Sequence, residues 1–225
     1  MEILERIHKE TLVFLSELPE INAFYLTGGT ALSAFYLNHR KSNDLDFFTS
    51  TEELILPFSF KIEEVLKGRG YKIERTRGFH SFVELNLSSL NSSTVIHIAL
   101  DSPYRFEQPK DSEEFHGLKI DSLIDIATNK ILTLFGRATL RDFVDVYFLI
   151  KENFSKAELI EKARLKDPGF DLYWLGVAFE RINNFSVDSP EMLLLVKPCS
   201  IEDLKNFFNE WREEIYKELT KSGND

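Results

Sequence analysis

The segment "YLTGGTALSAFYLNHRKSNDLDFF", residues 25–48, decides the expected fold of this 225-residue chain. Its first apolar residues are typical of a short buried strand, which turns at Gly28-Gly29 into a helical pattern. A second strand is predicted over "DLDFF", residues 44–48. Strand, glycine turn, helix and acidic strand follow one another within 24 residues, and the other predictions build on this order.

The two aspartates of the second strand are the first candidate functional residues. Side chains alternate along a strand, so Asp44 and Asp46 are predicted to share one face, about 7 Å apart at Cα, with Leu45 pointing into the core. Two carboxylates on one face repel each other unless a cation is bound. Mg²⁺ takes one or two carboxylates and completes its shell with water and phosphate oxygens. The pair therefore has the chemistry of a metal-dependent phosphoryl or nucleotidyl transfer site. The alternative is a solvated strand end at which Asp44 caps a turn.

The glycine turn is the second candidate feature. Glycines let the backbone approach a ligand closely, and a helix start offers free N–H groups that suit phosphate. Thr30 could add a hydroxyl. The alternative is a tight turn that requires a positive φ. Together with the aspartates, Gly28 and Gly29 predict a site in which one element binds a triphosphate and the other binds a metal ion.

The rest of the chain divides into two parts by pattern. An α/β core is predicted over residues 1–120 and a helical domain over residues 121–225, where every segment has helical periodicity. Within the core the pattern predicts helices over 2–18, ending at Pro19, and over 52–67, interrupted near Pro57; strands over 71–77, 79–87 and 93–101; and a loop over 102–117.

Composition restricts the function classes. The formal net charge is −10, so any contact with nucleic acid requires a local patch. No apolar run reaches eighteen residues, the charged N-terminus lacks a secretory pattern, and Cys199 is the single cysteine. We therefore expect a cytoplasmic protein with no membrane span.

One segment does concentrate basic residues. Residues 67–80 carry six basic or titratable side chains against one glutamate: Lys67, Arg69, Lys72, Arg75, Arg77 and His80. Tyr71 and Phe79 lie among them and could stack on bases. This pattern is compatible with an RNA or nucleotide acceptor site and equally with a solvated hairpin.

Two motifs resemble a known family. Residues 26–48 resemble the glycine motif and Asp-x-Asp of the DNA polymerase beta-type nucleotidyltransferases. More narrowly they resemble the AbiEii toxin family, in which a Gly-Gly-Thr-Ala-Leu helix precedes Arg-x-Ser-x-Asp-x-Asp. Arg40, Ser42, Asp44 and Asp46 fit that pattern. Residues 129–149 resemble the family's lysine-containing helix and its Arg-Asp-x-x-Asp motif. The resemblance implies an α+β fold, a mixed sheet with flanking helices, followed by a helical C-terminal region that completes the active site.

The spacing of the second motif also predicts that its charged side chains share one side of a helix. If residues 130–145 formed one helix, Lys130, Arg137, Arg141 and Asp145 would lie within about 80° of arc. Arg141 and Asp145 are four residues apart and could pair. Lys130, with Arg137 and Arg141, is expected to bind nucleotide phosphates. The resemblance implies that Asp142 or Asp145 assists catalysis, and the sequence does not separate the two. The alternative is a salt-bridged helix that covers the sheet.

One position departs from the family pattern. Polymerase beta-type enzymes usually carry a third carboxylate on a neighbouring strand, and the expected position is occupied here by His97. Either Asp101, at the end of that strand, supplies the carboxylate, or His97 replaces it. An imidazole could act as a general base, serve as a substitute ligand, or have no catalytic part.

The sequence therefore predicts a nucleotidyltransferase that uses Mg²⁺ or Mn²⁺ and an NTP. It would transfer an NMP to an RNA hydroxyl, with the tRNA 3′ end as one candidate, or to a protein hydroxyl. The expected nucleotide contacts in the first motif are Gly28, Gly29, Thr30, Arg40 and Ser42. The resemblance implies a toxin of a toxin–antitoxin or phage-defence pair, with an antitoxin as partner. The alternatives are a degenerate domain that binds nucleotide or a partner without turnover, and a nuclease or other phosphohydrolase.

Overall fold

The computed structural model describes residues 3–222. The chain divides into two compact units at Ile126/Ala127. The first unit contains the mixed sheet with its flanking helices, and the second is helical.

The sheet of the first unit has seven strands in the order β3-β4-β5-β2-β1-β7-β6. Its strands are β1 (Tyr25–Thr27), β2 (Asp44–Thr49), β3 (Lys72–Gly78), β4 (Phe82–Ser88), β5 (Ser93–Leu100), β6 (Lys110–Asp111) and β7 (Lys119–Ile120). The β2/β5 and β1/β7 pairs are parallel, and the other neighbours are antiparallel. The central strands have alternating burial because one face of the sheet packs on the core. The short β6 lies in the segment for which the sequence predicts only loop.

In the described part of the first unit, the α-helices that lie wholly within it are α1 (Arg6–Ser16), α2 (Gly28–Leu32) and α3 (Ile55–Gly68), and 3-10 turns lie at Pro19–Ala23 and Glu52–Leu54. α1 is shorter than the predicted 2–18, and residue 2 lies outside the described residues. α2 continues as a π-helical turn, Ser33–Leu37, and ends at Asn38, whose φ is +51°. The predicted interruption near Pro57 is wrong, because Pro57 lies in the first turn of α3, where its missing N–H has no helical partner to lose. Phe24 and Phe58 stack at 4.1 Å between ring centroids in this core.

The helical part of the chain begins with α4 (Leu123–Gly136), which runs across the division between the units. It is followed by α5 (Leu140–Glu152), α6 (Lys156–Lys166), α7 (Leu172–Phe179) and α8 (Ile201–Ser222). The core of the second unit is aromatic. Phe143, Phe179, Phe208 and Trp211 are almost fully buried, and Phe143 and Phe208 meet edge to face at 4.8 Å. Within residues 3–222 no helix combines the length and the apolar character needed to cross a membrane.

Candidate active site

The two aspartates of β2 lie on one face of the sheet, as the period of two predicts. Asp44 and Asp46 are half-buried, whereas Leu45 and Phe47 between and beyond them are fully buried. The apolar side chains hold β2 in the core, and this leaves the carboxylates on the opposite, partly solvated face. The side chain of Asp46 is 21% exposed, which is enough to meet a ligand from solvent.

The glycine turn packs directly against this face. A Cβ at Gly28 would lie 2.0 Å from Oδ2 of Asp46, and a Cβ at Gly29 would lie 2.7 Å from Nη2 of Arg40. Gly28 also has a φ of +71°, so the conformational requirement named as the alternative holds as well. Each glycine therefore makes room for a polar side chain of the Arg-x-Ser-x-Asp-x-Asp motif.

The remaining residues of the first motif are buried under this turn. Arg40 is 3% exposed and Ser42 is 7% exposed, and Oγ of Ser42 lies 3.0 Å from the position of a Cβ at Gly29. Thr30 is fully buried, and its hydroxyl donates to the carbonyl oxygen of Asp44. A hydroxyl has one hydrogen to donate, so in this arrangement Thr30 anchors α2 to β2 rather than donating to a phosphate.

His97 occupies the position beside Asp46. The two residues are direct partners in the parallel β2/β5 pair, and Nδ1 of His97 lies 2.8 Å from Oδ1 of Asp46. The other ring nitrogen, Nε2, lies 3.5 Å from Oε2 of Glu84, the partner of His97 on β4. An ionised carboxylate only accepts hydrogen bonds, and a neutral imidazole donates through one nitrogen only. The geometry therefore favours the doubly protonated imidazolium.

The electrostatics of His97 agree with this geometry. Burial opposes its charge, but the hydrogen bond that His97 donates to Asp46 and the charges of Asp46, Asp44 and Glu84 outweigh burial and raise the pKa of His97. An imidazolium is a hydrogen-bond donor and a local positive charge, which is a different role from the general base considered from sequence.

Glu84 was not among the sequence candidates. The signal was present in "FVELNL", whose alternation places Phe82, Glu84 and Asn86 on one face. Alternation alone does not give the register of β4 against β5, and the register brings Glu84 to His97.

Asp101, the other candidate for the third carboxylate, lies elsewhere. It follows β5 four residues beyond His97, about 13 Å along the strand direction. Its carboxylate accepts from the Tyr25 hydroxyl and from Arg105, with Nη1 of Arg105 at 3.0 Å from Oδ2. The structure therefore places His97, and not Asp101, against Asp46.

Arg105 is the centre of a separate cluster, which we call the Arg105 cluster: Tyr25, Asp101, Arg105, Asp121 and Asp125. The guanidinium contacts Asp121, lies 3.8 Å from Oδ2 of Asp125, and stacks over the Tyr25 ring at 4.4 Å from its centroid. Asp121 is fully buried, and its Oδ2 accepts from the hydroxyl of Thr27 at 2.6 Å. Burial raises the pKa of Asp121, while Thr27 and Arg105 act in the opposite direction.

In the second unit, Lys130 and Asp145 form an ion pair. Nζ of Lys130 lies 2.8 Å from Oδ2 of Asp145, with side chains 11% and 0% exposed. The condition for a single arc, one helix over residues 130–145, is not met, because the chain bends between residues 136 and 140. α4 ends at Gly136 and α5 begins at Leu140, with Ala138 between them at a φ of +48°. Lys130 therefore meets Asp145 across a turn between two helices rather than along one helix.

The structure shows that Asp142 and Asp145 have different partners. Asp142 is the N3 residue of a capping box with Thr139, and its carboxylate accepts from Nε and Nη2 of Arg137 at 2.9 and 3.0 Å. Burial opposes its charge, but the contacts with Arg137 and Thr139 prevail and lower the pKa of Asp142. These contacts indicate that Asp142 and Arg137 fix the start of α5. The Thr-x-x-Asp spacing at residues 139–142 is the sequence signal for this role.

The basic segment of residues 67–80 is largely neutralised. Five of its six cationic side chains pair with carboxylates: Lys67 and Arg75 with Glu63, Arg69 with Glu17, Arg77 with Glu84, and His80 with Glu52. Tyr71 donates to Glu10, while Phe79 is 61% exposed. These contacts favour the hairpin reading of the segment over a concentrated nucleic-acid patch.

The donor set can be tested against a divalent ion. Among residues 3–222, no group of three or more His, Cys, Asp or Glu side chains is arranged to bind a metal ion. Asp44 and Asp46 offer hard carboxylate oxygens on one half-exposed face. Two carboxylates with water and phosphate oxygens make up an ordinary Mg²⁺ shell, so the residues present fit Mg²⁺ or Mn²⁺ in that form.

Most of the chain matches a known family, beyond these local features. The sequence model of the nucleotidyl transferase AbiEii toxin family, described as a type IV toxin–antitoxin system, matches residues 12–221. The chain belongs to the AbiEii family. The match covers both units, so the glycine turn, the Asp-x-Asp strand and the Lys130 helix all lie within the AbiEii region.

The chain is also similar to individual proteins. An uncharacterized protein of Aquifex aeolicus (strain VF5) is 27% identical over 220 residues, which is 97% of this chain and 90% of that protein. A solved structure of a putative nucleotidyltransferase from H. pylori has a TM-score of 0.59 at 18% identity, covering 97% of this chain and 98% of the other. MenT4, a nucleotidyltransferase toxin from Mycobacterium tuberculosis H37Rv, has a TM-score of 0.55 at 14% identity over 90% and 80%. The predicted nucleotidyltransferase fold is confirmed.

Proposed function

We propose that this AbiEii-family protein is a nucleotidyltransferase that depends on Mg²⁺ or Mn²⁺ and transfers an NMP from an NTP to a hydroxyl of RNA or of a protein. The tRNA 3′ end is one candidate acceptor. The observation that supports this proposal best is the contact of Asp46 with Gly28. It joins a turn suited to phosphate with a face suited to a cation.

The chain's own residues divide the work in this proposal. Asp44 and Asp46 would hold the divalent ion, which when bound supplies positive charge for the phosphoryl group in transfer. The backbone N–H groups of the glycine turn would orient the triphosphate, and the buried guanidinium of Arg40 would support that turn at Gly29. Lys130, fixed by Asp145, remains the predicted phosphate contact of the second unit. The acceptor hydroxyl oxygen would form a bond to the α-phosphorus while its proton passes to water, the bond from the α-phosphorus to the oxygen of the β-phosphate would break, and pyrophosphate would leave.

The test is a labelling experiment with a matched variant. Purified protein is incubated with each α-³²P NTP, Mg²⁺ and total tRNA, beside Asp46→Ala and beside a reaction that contains EDTA. Label on RNA or on protein that is absent from both controls is the expected result. RNA that is shortened without label transfer would instead indicate a nuclease.

One observation favours a second candidate, a degenerate domain that binds nucleotide without turnover. His97 stands where the fold usually carries a third carboxylate, and it pairs with Asp46. Binding of an NTP by the wild type, measured by calorimetry with Mg²⁺, would support this candidate if all four NTPs left RNA and protein unlabelled.

A further inference from the structure

A row of polar side chains crosses the centre of the sheet. Thr27 on β1, Asp46 on β2, His97 on β5 and Glu84 on β4 are successive cross-strand partners. Cross-strand partners lie on the same face, with Cβ atoms about 5 Å apart. The side chains of Asp46, His97 and Glu84 are 21, 22 and 21% exposed, so the three form one half-exposed line.

The Glu84 carboxylate is contacted by side chains of β3 and β5, the two strands beside β4. Oε1 accepts from the hydroxyl of Thr76 at 2.5 Å, and Oε2 lies 4.0 Å from Nε of Arg77 and 3.5 Å from Nε2 of His97. The hydrogen bond from Thr76 is the main cause of a lowered pKa of Glu84, with the charges of Arg77 and His97 adding to it. Its carboxylate is therefore ionised and anchored at neutral pH.

A histidine that is held at one nitrogen can still rotate about χ2, because that torsion is broad. A second partner at the opposite nitrogen fixes the ring plane, as carboxylates do for histidines in metal sites. In this protein Asp46 holds Nδ1, Glu84 approaches Nε2, and the ring of Phe82 lies 5.6 Å from the imidazole. The orientation of His97 thus depends on contacts at both of its nitrogens.

We propose that Glu84 is a positioning residue for nucleotidyl transfer: its carboxylate fixes Nε2 of His97, so that Nδ1 faces Asp46 and the Asp46 carboxylate stays directed at the glycine turn. This role rests on the proposed transfer function. It assigns a carboxylate of β4 to the site, where it acts through His97 instead of contacting the substrate.

The kinetic test compares three variants with the wild type. Glu84→Gln keeps the shape but removes the charge, Glu84→Asp keeps the charge, and Glu74→Gln is the matched control, an exposed glutamate on the neighbouring β3. We expect kcat of Glu84→Gln to fall about 10-fold with KM for the NTP within about twofold, and Glu84→Asp to recover part of the loss. Glu74→Gln should match the wild type.

A double-mutant cycle separates positioning from a general structural effect. In a His97→Asn background, Glu84→Gln should cause no further loss of kcat, because the ring through which Glu84 acts is gone. An equal 10-fold loss in both backgrounds would overturn the proposal.

A spectroscopic measurement tests the contact without turnover. At one fixed pH, ¹⁵N spectra of the histidine rings should show a shifted Nε2 resonance for His97 in Glu84→Gln and unchanged resonances for His116. An unmoved His97 resonance would contradict the contact. If the wild type transfers no nucleotide, the proposed function and the role of Glu84 in it are both wrong. The spectra would still decide whether Glu84 contacts Nε2 of His97.

Discussion

The first unit contains two groups of acidic residues that differ in burial and in the residue with which they pair. In the Arg105 cluster, Asp121 and Asp125 are fully buried around a guanidinium that is itself only 11% exposed. On the sheet face, Asp46 is 21% exposed and pairs with a histidine. The difference is in the partner: an arginine stays charged under all ordinary conditions, while a histidine changes its charge near neutral pH.

The comparison indicates which acidic residues stabilise the fold and which are available for the chemistry of the site. Asp121 of the Arg105 cluster follows β7 and accepts a hydrogen bond from Thr27 at the end of β1, so it links these two neighbouring strands beside the glycine turn. Asp44 and Asp46 on the sheet face are only half-buried, so the core depends less on them. Substitutions should therefore affect stability in the Arg105 cluster and activity on the sheet face.

The largest effect is expected for Arg105→Met. Removing one partner of a buried charge network leaves uncompensated carboxylates, which costs about 3–5 kcal/mol of unfolding free energy. Urea unfolding followed by circular dichroism measures it. Arg6→Met, which removes an arginine from an exposed pair with Glu10, is the control and should unfold like the wild type. Equal stability of the two variants would break the comparison.

Asp46→Asn should reduce activity strongly and stability only slightly. We expect nucleotide transfer to fall by about 100-fold or more, because an electrostatic contact to the reacting group is lost. Unfolding free energy should stay within about 1 kcal/mol of the wild type, since the site is half-exposed and the amide can keep a hydrogen bond to His97. A strongly destabilised Asp46→Asn with normal specific activity would assign this acid to the fold.

Gly28→Ala tests whether the turn and the sheet face act as one site. The new Cβ would lie 2.0 Å from Oδ2 of Asp46 at a φ of +71°, so either the turn or the carboxylate must move. We expect about a 10-fold or greater loss of transfer and about 1–2 kcal/mol of destabilisation. Gly68→Ala is the control, because a Cβ there has nothing within 4 Å and no positive φ. Transfer at the wild-type rate in Gly28→Ala would separate the turn from the chemistry.

The smallest effect concerns Asp142, one of the buried acids of the second unit, and it depends on pH. Its pKa is lowered in the folded state, so it stabilises the fold above its unfolded pKa of about 3.9, and this contribution is lost as pH falls through the folded value. Asp142→Asn should therefore unfold about 1–2 kcal/mol more easily at pH 7. The gap to the wild type should shrink as pH falls below about 4. Thermal unfolding from pH 7 down to pH 3 gives the measurement, and a pH-independent gap would contradict this prediction.

The sequence predicts what depends on period and local chemistry. The shared face of Asp44 and Asp46 follows from alternation, and the mixed sheet and helical remainder follow from pattern and resemblance. The choice between His97 and Asp101 did not follow, because it requires the parallel register of β2 against β5. Glu84 was missed for the same reason on β4.

Local backbone geometry accounts for the other errors. Ala138 adopts a positive φ, which is uncommon for any residue with a Cβ; the Thr-x-x-Asp spacing marks the start of α5 after it but not this φ. The helix break at this point changed the expected partners of Lys130 and Arg137. Pro57 does not interrupt the helix, because Glu52–Leu54 form a 3-10 turn and the α-helix itself begins at Ile55, two residues before the proline.

The π-helical turn at Ser33–Leu37 places one extra residue between the two halves of the first motif. A π turn holds one residue more than an α turn. Deleting one residue from this turn would therefore leave a regular α turn, with the chain after it in nearly the same orientation. Deleting Asn38 or His39, which follow the helical turns, would instead move Arg40 away from Gly29. The segment between Gly29 and Arg40 thus tolerates the loss of a residue at one place and not at the other.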